Sequence, residues 1–175
     1  MRKFFTPKDF DDIANVYFLW KKLNNLIKKV YTRGINLPEY ITEGCVCYVN
    51  GYELTASEQG SEDAFDKKTN HKIQVKGTSN FNDDLSSFGP KSKFDELHFA
   101  RLNLNEDKIY LYKIDIQNLY NVKVNSSQTF KEQQEQGRRP RFSLLNTFII
   151  PNNIKEYCIV DLKNKKIVKY DNQSN

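Results

Sequence analysis

The chain has 175 residues, the length of one ordinary domain and enough to bury a core. Hydrophobic residues make up 38%, with 12 Phe and 10 Tyr, which argues against a disordered chain because each aromatic ring buries a large area. The 27 basic residues outnumber the 22 acidic ones, giving a net charge of +5, and no run approaches the roughly 18 apolar residues of a spanning helix. A polyanionic partner fits that balance, and a membrane protein does not.

In chain order, Asp12 to Val30 places Ile13, Val16, Tyr17, Trp20, Leu23, Ile27 and Val30 near a 3.6-residue period. The spacing predicts an amphipathic helix whose lysines lie on the solvated face, ended by Gly34. Proline is favoured in a first helical turn, so Pro38 opens a second helix running to about Val49, with Glu43 in its middle. Leu54 to Gly60 reads as a loop. Glu62–Asp66 and His71–Thr78 follow as two strands across a turn at 67–70.

A polar stretch from Ser79 to Lys93 precedes two further strands, Phe94–Leu104 and Lys108–Ile116. Thr129 and Glu132 have the spacing of a capping box, and Gly137 marks the end of that short helix. A basic loop, Gly137-Arg138-Arg139-Pro140-Arg141, comes next. The tail reads as a hairpin of Tyr157–Leu162 and Lys166–Tyr170. Helices, a mostly antiparallel sheet, then a helix and more strands describe an α+β or mixed α/β fold in a single domain, residues 1–175.

Cys45, Cys47 and Cys158 are odd in number, and only two histidines accompany them. Neither a disulfide framework nor a zinc set follows, so these cysteines are expected as small buried residues in a reducing cytoplasm. His98, in an apolar strand, is expected to be structural, and Asp95 and Glu96 to hold loop structure or bind a base amino group.

The first hairpin carries the chemistry. If Lys67 faces Asn70, then Asp66 pairs with His71, Ala64 with Ile73 and Asp63 with Gln74. Directly opposed residues share a face. Gln74 and Lys76 share that face by the two-residue period, while Ile73 and Val75 point the other way. Asp63, Gln74 and Lys76 therefore cluster, and Asp66 falls on the wrong side. Asp63 would ligate Mg²⁺, a hard ion satisfied by oxygens, together with the Val75 carbonyl, and Gln74 offers a neutral oxygen. Glu43, from the helix alongside, would hold a water of the metal. Lys76 would orient or deprotonate the attacking water and offset transition-state charge. With Gln74 in place of a second acid, the site suits one metal better than two. Taken alone, Lys76 is an ordinary strand lysine, and its case rests on Asp63 and Gln74.

Asp63, ten residues, then Gln74-Val75-Lys76 resembles the PD-(D/E)xK nuclease signature, with Glu43 matching the helical glutamate of many members. Two departures stand out. Glu62 replaces the proline, and Gln74 replaces the second acid. Three further stretches, Asn36 to Glu43, Gly60 to Ala64 and Gly137 to Ser143, are similar to a small family of type II restriction endonucleases that cut GC-N-GC sites. The resemblance spans roughly residues 30–145. It implies a restriction-endonuclease-like core, a central mixed sheet flanked by helices, in a homodimer that makes Mg²⁺-dependent double-strand cuts in DNA beside a cognate methyltransferase. Arg138, Arg139 and Arg141 would then read guanines, since a guanidinium fork matches their major-groove acceptors. Ser86, Ser87, Lys91, Ser92 and Lys93 would contact phosphates or bases. The competing readings are a structure-selective or repair nuclease of the same superfamily, which would lack sequence specificity, and a non-catalytic DNA-binding domain, which would not need the acids and lysine together.

Overall fold

A computed structural model describes residues 2–55 and 62–170. The Gly60-Ser61 part of one motif, and most of the loop expected before it, lie outside the described residues. The elements run β1 (Arg2–Phe4), α1 (Pro7–Lys28), α2 (Glu39–Asn50), β2 (Glu53–Thr55), β3 (Ala64–Asp66), β4 (His71–Thr78) and β5 (Ser86–Ser87). β6 (Glu96–Asn103), β7 (Lys108–Ile114), α3 (Phe130–Glu135), β8 (Arg141–Phe142), β9 (Cys158–Asp161) and β10 (Lys166–Lys169) complete them. A single π-helical turn, Leu145–Ile149, follows β8.

Eight strands form one sheet in the order β1-β2-β3-β4-β6-β7-β9-β10. All neighbours are antiparallel except β4 and β6, which run parallel from Ile73↔Glu96 to Thr78↔Arg101. The fold is thus α+β around a central mixed sheet. β6 is buried on both faces and reads as an apolar run for that reason. Its even positions, Ala100 and Leu102, face a core shared with Ile13 and Tyr17 of α1 and Ile41 and Cys45 of α2. Its odd positions, Leu97 and Phe99, face a second core of Phe88, Phe94, Phe130, Phe142 and Phe148. All three cysteines are free and buried, as their spacing indicated.

α1 departs from its expected boundaries. Thr6 and Asp9 close a reciprocal capping box that starts the helix at Pro7, and the helix stops at Lys28, before Gly34. Its buried face is Phe10, Ile13, Ala14, Tyr17, Trp20 and Asn24. Leu23 and Val30, expected inside, are exposed. Lys21, expected in solvent, instead donates to the Leu104 carbonyl at 2.8 Å and pairs with Asp107. Asn24 replaces an apolar residue in the buried stripe because its Oδ1 accepts from the Ile35 amide at 3.0 Å and holds the α1–α2 loop.

The hairpin forms with the expected turn: Asp66↔His71, Phe65↔Lys72 and Ala64↔Ile73. The ladder stops there. Asp63 donates its amide to the Ile73 carbonyl at 2.9 Å, one residue out of step, so the backbone bulges at Asp63 and the Asp63–Gln74 backbone pair does not form. From Gln74 onward, no strand among the described residues lies beside the edge of β4 that faces away from β6.

Candidate active site

That open edge of β4 collects the predicted residues. The Asp63 carboxylate turns onto it: Oδ2 accepts from the Val75 amide at 2.7 Å and from the Gln74 side-chain amide. The two side chains meet although their backbones do not pair. A strand residue directs its N–H and C=O to the same side. The Val75 amide points at Asp63, so the Val75 carbonyl faces this edge too. Gln74 is buried (3% exposed), with its amide nitrogen committed to Asp63.

α2 brings Glu43 to the same place. The helix lies close to β4 because Gly77 has no side chain; a Cβ there would fall 2.7 Å from Thr42 Cγ2. Thr42 is buried and immediately precedes Glu43, so this contact sets where Glu43 sits. Glu43 titrates far above a free glutamate, pushed up to about 8 by burial first and then by Asp63 and Glu39, against the opposing pull of Lys76. Burial also raises Asp63, while Lys76, the Val75 amide and Gln74 draw it down. The mutual effects place Glu43, Asp63, Glu39 and Lys76 in one electrostatic cluster of three carboxylates and one ammonium. Among the described residues, no group of three or more His, Cys, Asp or Glu side chains is set to hold a metal, so a cation here would need carbonyl oxygen as well.

Lys76 lies on the opposite face of β4 from Val75, with Nζ 5.3 Å from the centre of the Phe88 ring. Phe88 packs against Phe94, Phe130 and Phe142, so the lysine rests on the second core. The segments holding the remaining candidates join there. β5 and β8 pair as a two-stranded ribbon, Ser86↔Phe142 and Ser87↔Arg141. Asp84 anchors it, accepting from the Ser86 and Ser143 hydroxyls at 2.8 and 2.7 Å and from the Leu144 and Leu145 amides at 3.0 Å. Ser86 is therefore buried with its hydroxyl engaged by Asp84, whereas the Ser87 hydroxyl is buried with no hydrogen-bond partner among the described residues. Arg138, Arg139 and Arg141 are exposed along the turn and ribbon, and Lys91 and Lys93 are exposed in the loop before β6.

A cleft of about 810 Å³ opens over this arrangement, lined by Glu43, Val75, Lys76, Ser86 and Ser87. Asp63, Gln74, the three arginines, Lys91 and Lys93 do not line it. Lys28, Arg33 and Glu39 line it as well. None of these three is among the sequence candidates. Glu39 had a usable signal, since it lies four residues before Glu43 and so on the same helix face. Lys28 and Arg33 had none, as nothing local links the end of α1 to β4.

Asp66, set aside on register grounds, caps the hairpin turn by accepting from the Lys68 amide at 2.8 Å and the Thr69 hydroxyl at 2.9 Å. His98 at 3.5 Å, Lys113 at 2.6 Å and His71 at 2.8 Å together hold the Glu96 carboxyl well below the usual range. Asp95 accepts from the Lys72 amide at 2.8 Å, and His98 is buried against the Tyr157 hydroxyl at 2.9 Å. All four hold structure.

Residues 5–151, which include every candidate site residue, match the model of the Bsp6I restriction endonuclease family. The chain belongs to the Bsp6I restriction endonuclease family. It is 45% identical over 162 residues to the type II restriction enzyme Bsp6I of Bacillus sp. (strain RFL6), covering 91% of this chain and 92% of that protein. Membership makes this chain a type II restriction endonuclease, a site-specific deoxyribonuclease of a restriction-modification system, and DNA its partner. No solved structure matches it. Among the described residues, no helix is long and apolar enough to cross a membrane.

Proposed function

We propose that the β4 edge is the catalytic centre of a PD-(D/E)xK nuclease that makes Mg²⁺-dependent double-strand cuts at a short, GC-N-GC-like site. The observation that carries this reading is the Asp63 carboxylate held by the Val75 amide and Gln74 on an open strand edge, in electrostatic contact with Glu43 and Lys76.

The residues fit a divalent cation. Two half-buried carboxylates are held above their ordinary range, Glu43 by burial and then Asp63, Asp63 by burial and then Glu39, against one lysine, a deficit of positive charge that a hard cation would fill. Asp63, Glu43 and the Val75 carbonyl would hold it. Asp63 Oδ2 accepts from the Val75 amide and Gln74, so Asp63 would offer the ion its other oxygen. With Gln74 in the second acidic position, the set favours one Mg²⁺ over two. When bound, the ion supplies Lewis-acid polarisation of the scissile phosphate and lowers the pKa of water.

The chain's own groups do the rest. Glu43, pushed up to about 8 by burial and Asp63, would orient water from the α2 side once its carboxyl has lost its proton to solvent. Lys76, fixed against Phe88, presents its ammonium to the phosphate, positions the attacking water and offsets charge on the leaving oxygen. The β5–β8 ribbon, its turn and the preceding loop carry Ser87, Arg138, Arg139, Arg141, Lys91 and Lys93 towards DNA, with the arginines reading guanine edges. Ser86 acts through the ribbon's shape, since its hydroxyl belongs to Asp84. The whole chain works as one domain, in the cytoplasm, as a homodimer paired with a DNA methyltransferase.

Plasmid digestion with Mg²⁺, followed by mapping of the ends, tests the reading. Discrete fragments with GC-N-GC at every end are expected. A smear, or cutting restricted to branched DNA, would indicate a structure-selective nuclease instead.

A further inference from the structure

Part of the cleft wall comes from the end of α1 and the loop to α2. Lys28 and Arg33 line it there; the third cation of the cleft is Lys76, and its acids are Glu39 and Glu43. Both residues are exposed, and among the described residues neither forms an ion pair, with those acids or any other. The loop that carries Arg33 is pinned to α1. Trp20 Nε1 donates to the Asn36 carbonyl at 2.9 Å, and the buried Asn24 accepts from the Ile35 amide at 3.0 Å. Gly34 permits this close seating, since a Cβ there would fall 1.9 Å from Asn24 Oδ1 and 2.9 Å from Lys28 Cε. The Lys28 stem therefore meets the loop at the residue that follows Arg33. The helix dipole accounts for a cation in the last turn of α1, but not for Arg33, five residues past Lys28.

We propose that Lys28 and Arg33 form a binding site for a backbone phosphate of the cleaved DNA strand, beside the scissile phosphate. The α1–α2 loop is thus a positioning element, separate from the ribbon that reads bases. This rests on the β4-edge reading above, which puts the scissile phosphate at Glu43 and Lys76 in the same cleft. At about 810 Å³ the cleft is of the size that encloses a small ligand, so it admits a short stretch of one strand's backbone and not a duplex. A strand with its scissile phosphate at Lys76 carries the neighbouring phosphates along the rest of the cleft, where the remaining cations are Lys28 and Arg33. A guanidinium fork matches two phosphate oxygens, and an ammonium adds a point charge. The pinned loop fixes the Arg33 backbone before DNA arrives, so less order is lost on binding. Phosphate contacts set register and orientation and carry no sequence information. Loss of this pair therefore weakens all sequences alike, unlike loss of Arg141.

DNA affinity measured over a range of KCl at fixed Ca²⁺ tests the site. Each phosphate contact contributes about 0.9 to the slope of log affinity against log salt. K28A/R33A is expected to flatten that slope by about 1–2, on cognate and non-cognate duplexes alike. K28R/R33K keeps both charges and is expected to keep the wild-type slope. K22A/K29A removes two exposed lysines of the same region that do not line the cleft, and is expected to leave the slope unchanged. An unchanged slope in K28A/R33A, or equal flattening in K22A/K29A, overturns the proposal. Single neutral methylphosphonates on either side of the mapped cut then read the position. One of them is expected to weaken wild type and to make no difference to K28A/R33A. A double variant that senses each of them as wild type does also overturns the proposal. Far-ultraviolet dichroism checks the fold, and should the double variant unfold, K28Q and R33Q singly give the same reading. K76A cutting like wild type would sink the β4-edge site, whereas an unchanged slope beside an inactive K76A sinks the phosphate site alone.

Discussion

Replacing Glu43 with glutamine is predicted to stabilise the metal-free protein while ending its cleavage. Glu43 titrates near 8 in the folded chain and near 4.5 when free. Between those values the folded state binds the proton and the unfolded state does not, so wild-type stability falls as pH rises through that window. At 1.36 kcal/mol per pH unit the full gap sets a ceiling of about 5 kcal/mol above pH 8. Solvent entering the cleft screens part of this, leaving about 2–3 kcal/mol. For a chain of this size that is roughly 5–10 °C in Tm. Glutamine has the same shape and no proton to lose. Thermal unfolding in EDTA at pH 5, 7 and 9 reads the effect: E43Q and wild type nearly coincide at pH 5 and separate progressively, with the variant higher. Added Mg²⁺ raises wild type more than the variant and narrows the difference. A gap that does not change with pH, or a variant less stable at pH 9, would refute the reasoning.

Three other expectations concern the geometry around Glu43. G77A drives a Cβ against Thr42, displaces α2 and lowers cleavage by about 100-fold, as a 1 Å misplacement does; T42A in the same chain restores much of it, measured as kcat. D63N keeps its contact with the Val75 amide and so keeps its fold, but isothermal titration finds no Mg²⁺ binding. R141A, exposed on the ribbon, loses about 1–3 kcal/mol of discrimination for the cognate site. Fluorescence anisotropy with Ca²⁺ in place of Mg²⁺ shows this as weaker cognate binding with non-cognate binding little changed.

The hairpin that carries Asp63, Gln74 and Lys76 was legible because its signals are local. The turn at 67–70 sets the register, the two-residue period assigns faces, and together these separate Asp63 from Asp66. The bulge at Asp63 was not legible, since it follows from where β3 ends against β4. Glu43 was legible from the Pro38 helix start, but its depth was not, because that depends on Gly77 meeting Thr42 across the α2–β4 contact. α1 was misassigned for a physical reason. A helix with two apolar stripes satisfies the 3.6-residue period along either, and the core selects the one through Phe10, Tyr17 and Trp20. β5 and β8 are two residues long, too short for any alternation, and pair across more than fifty residues. The two candidate DNA-contacting segments thus looked independent in sequence and form one ribbon in the structure.

The claim that Lys76 works with a cation held by Asp63 and Glu43 is tested most directly by plasmid cleavage by wild type and K76A, with DNA binding measured in parallel. Wild type is predicted to give discrete fragments with Mg²⁺ and none in EDTA, and K76A to bind DNA normally but cut about 10²–10⁴-fold more slowly. Undiminished cutting by K76A, or cutting by wild type in EDTA, would contradict it.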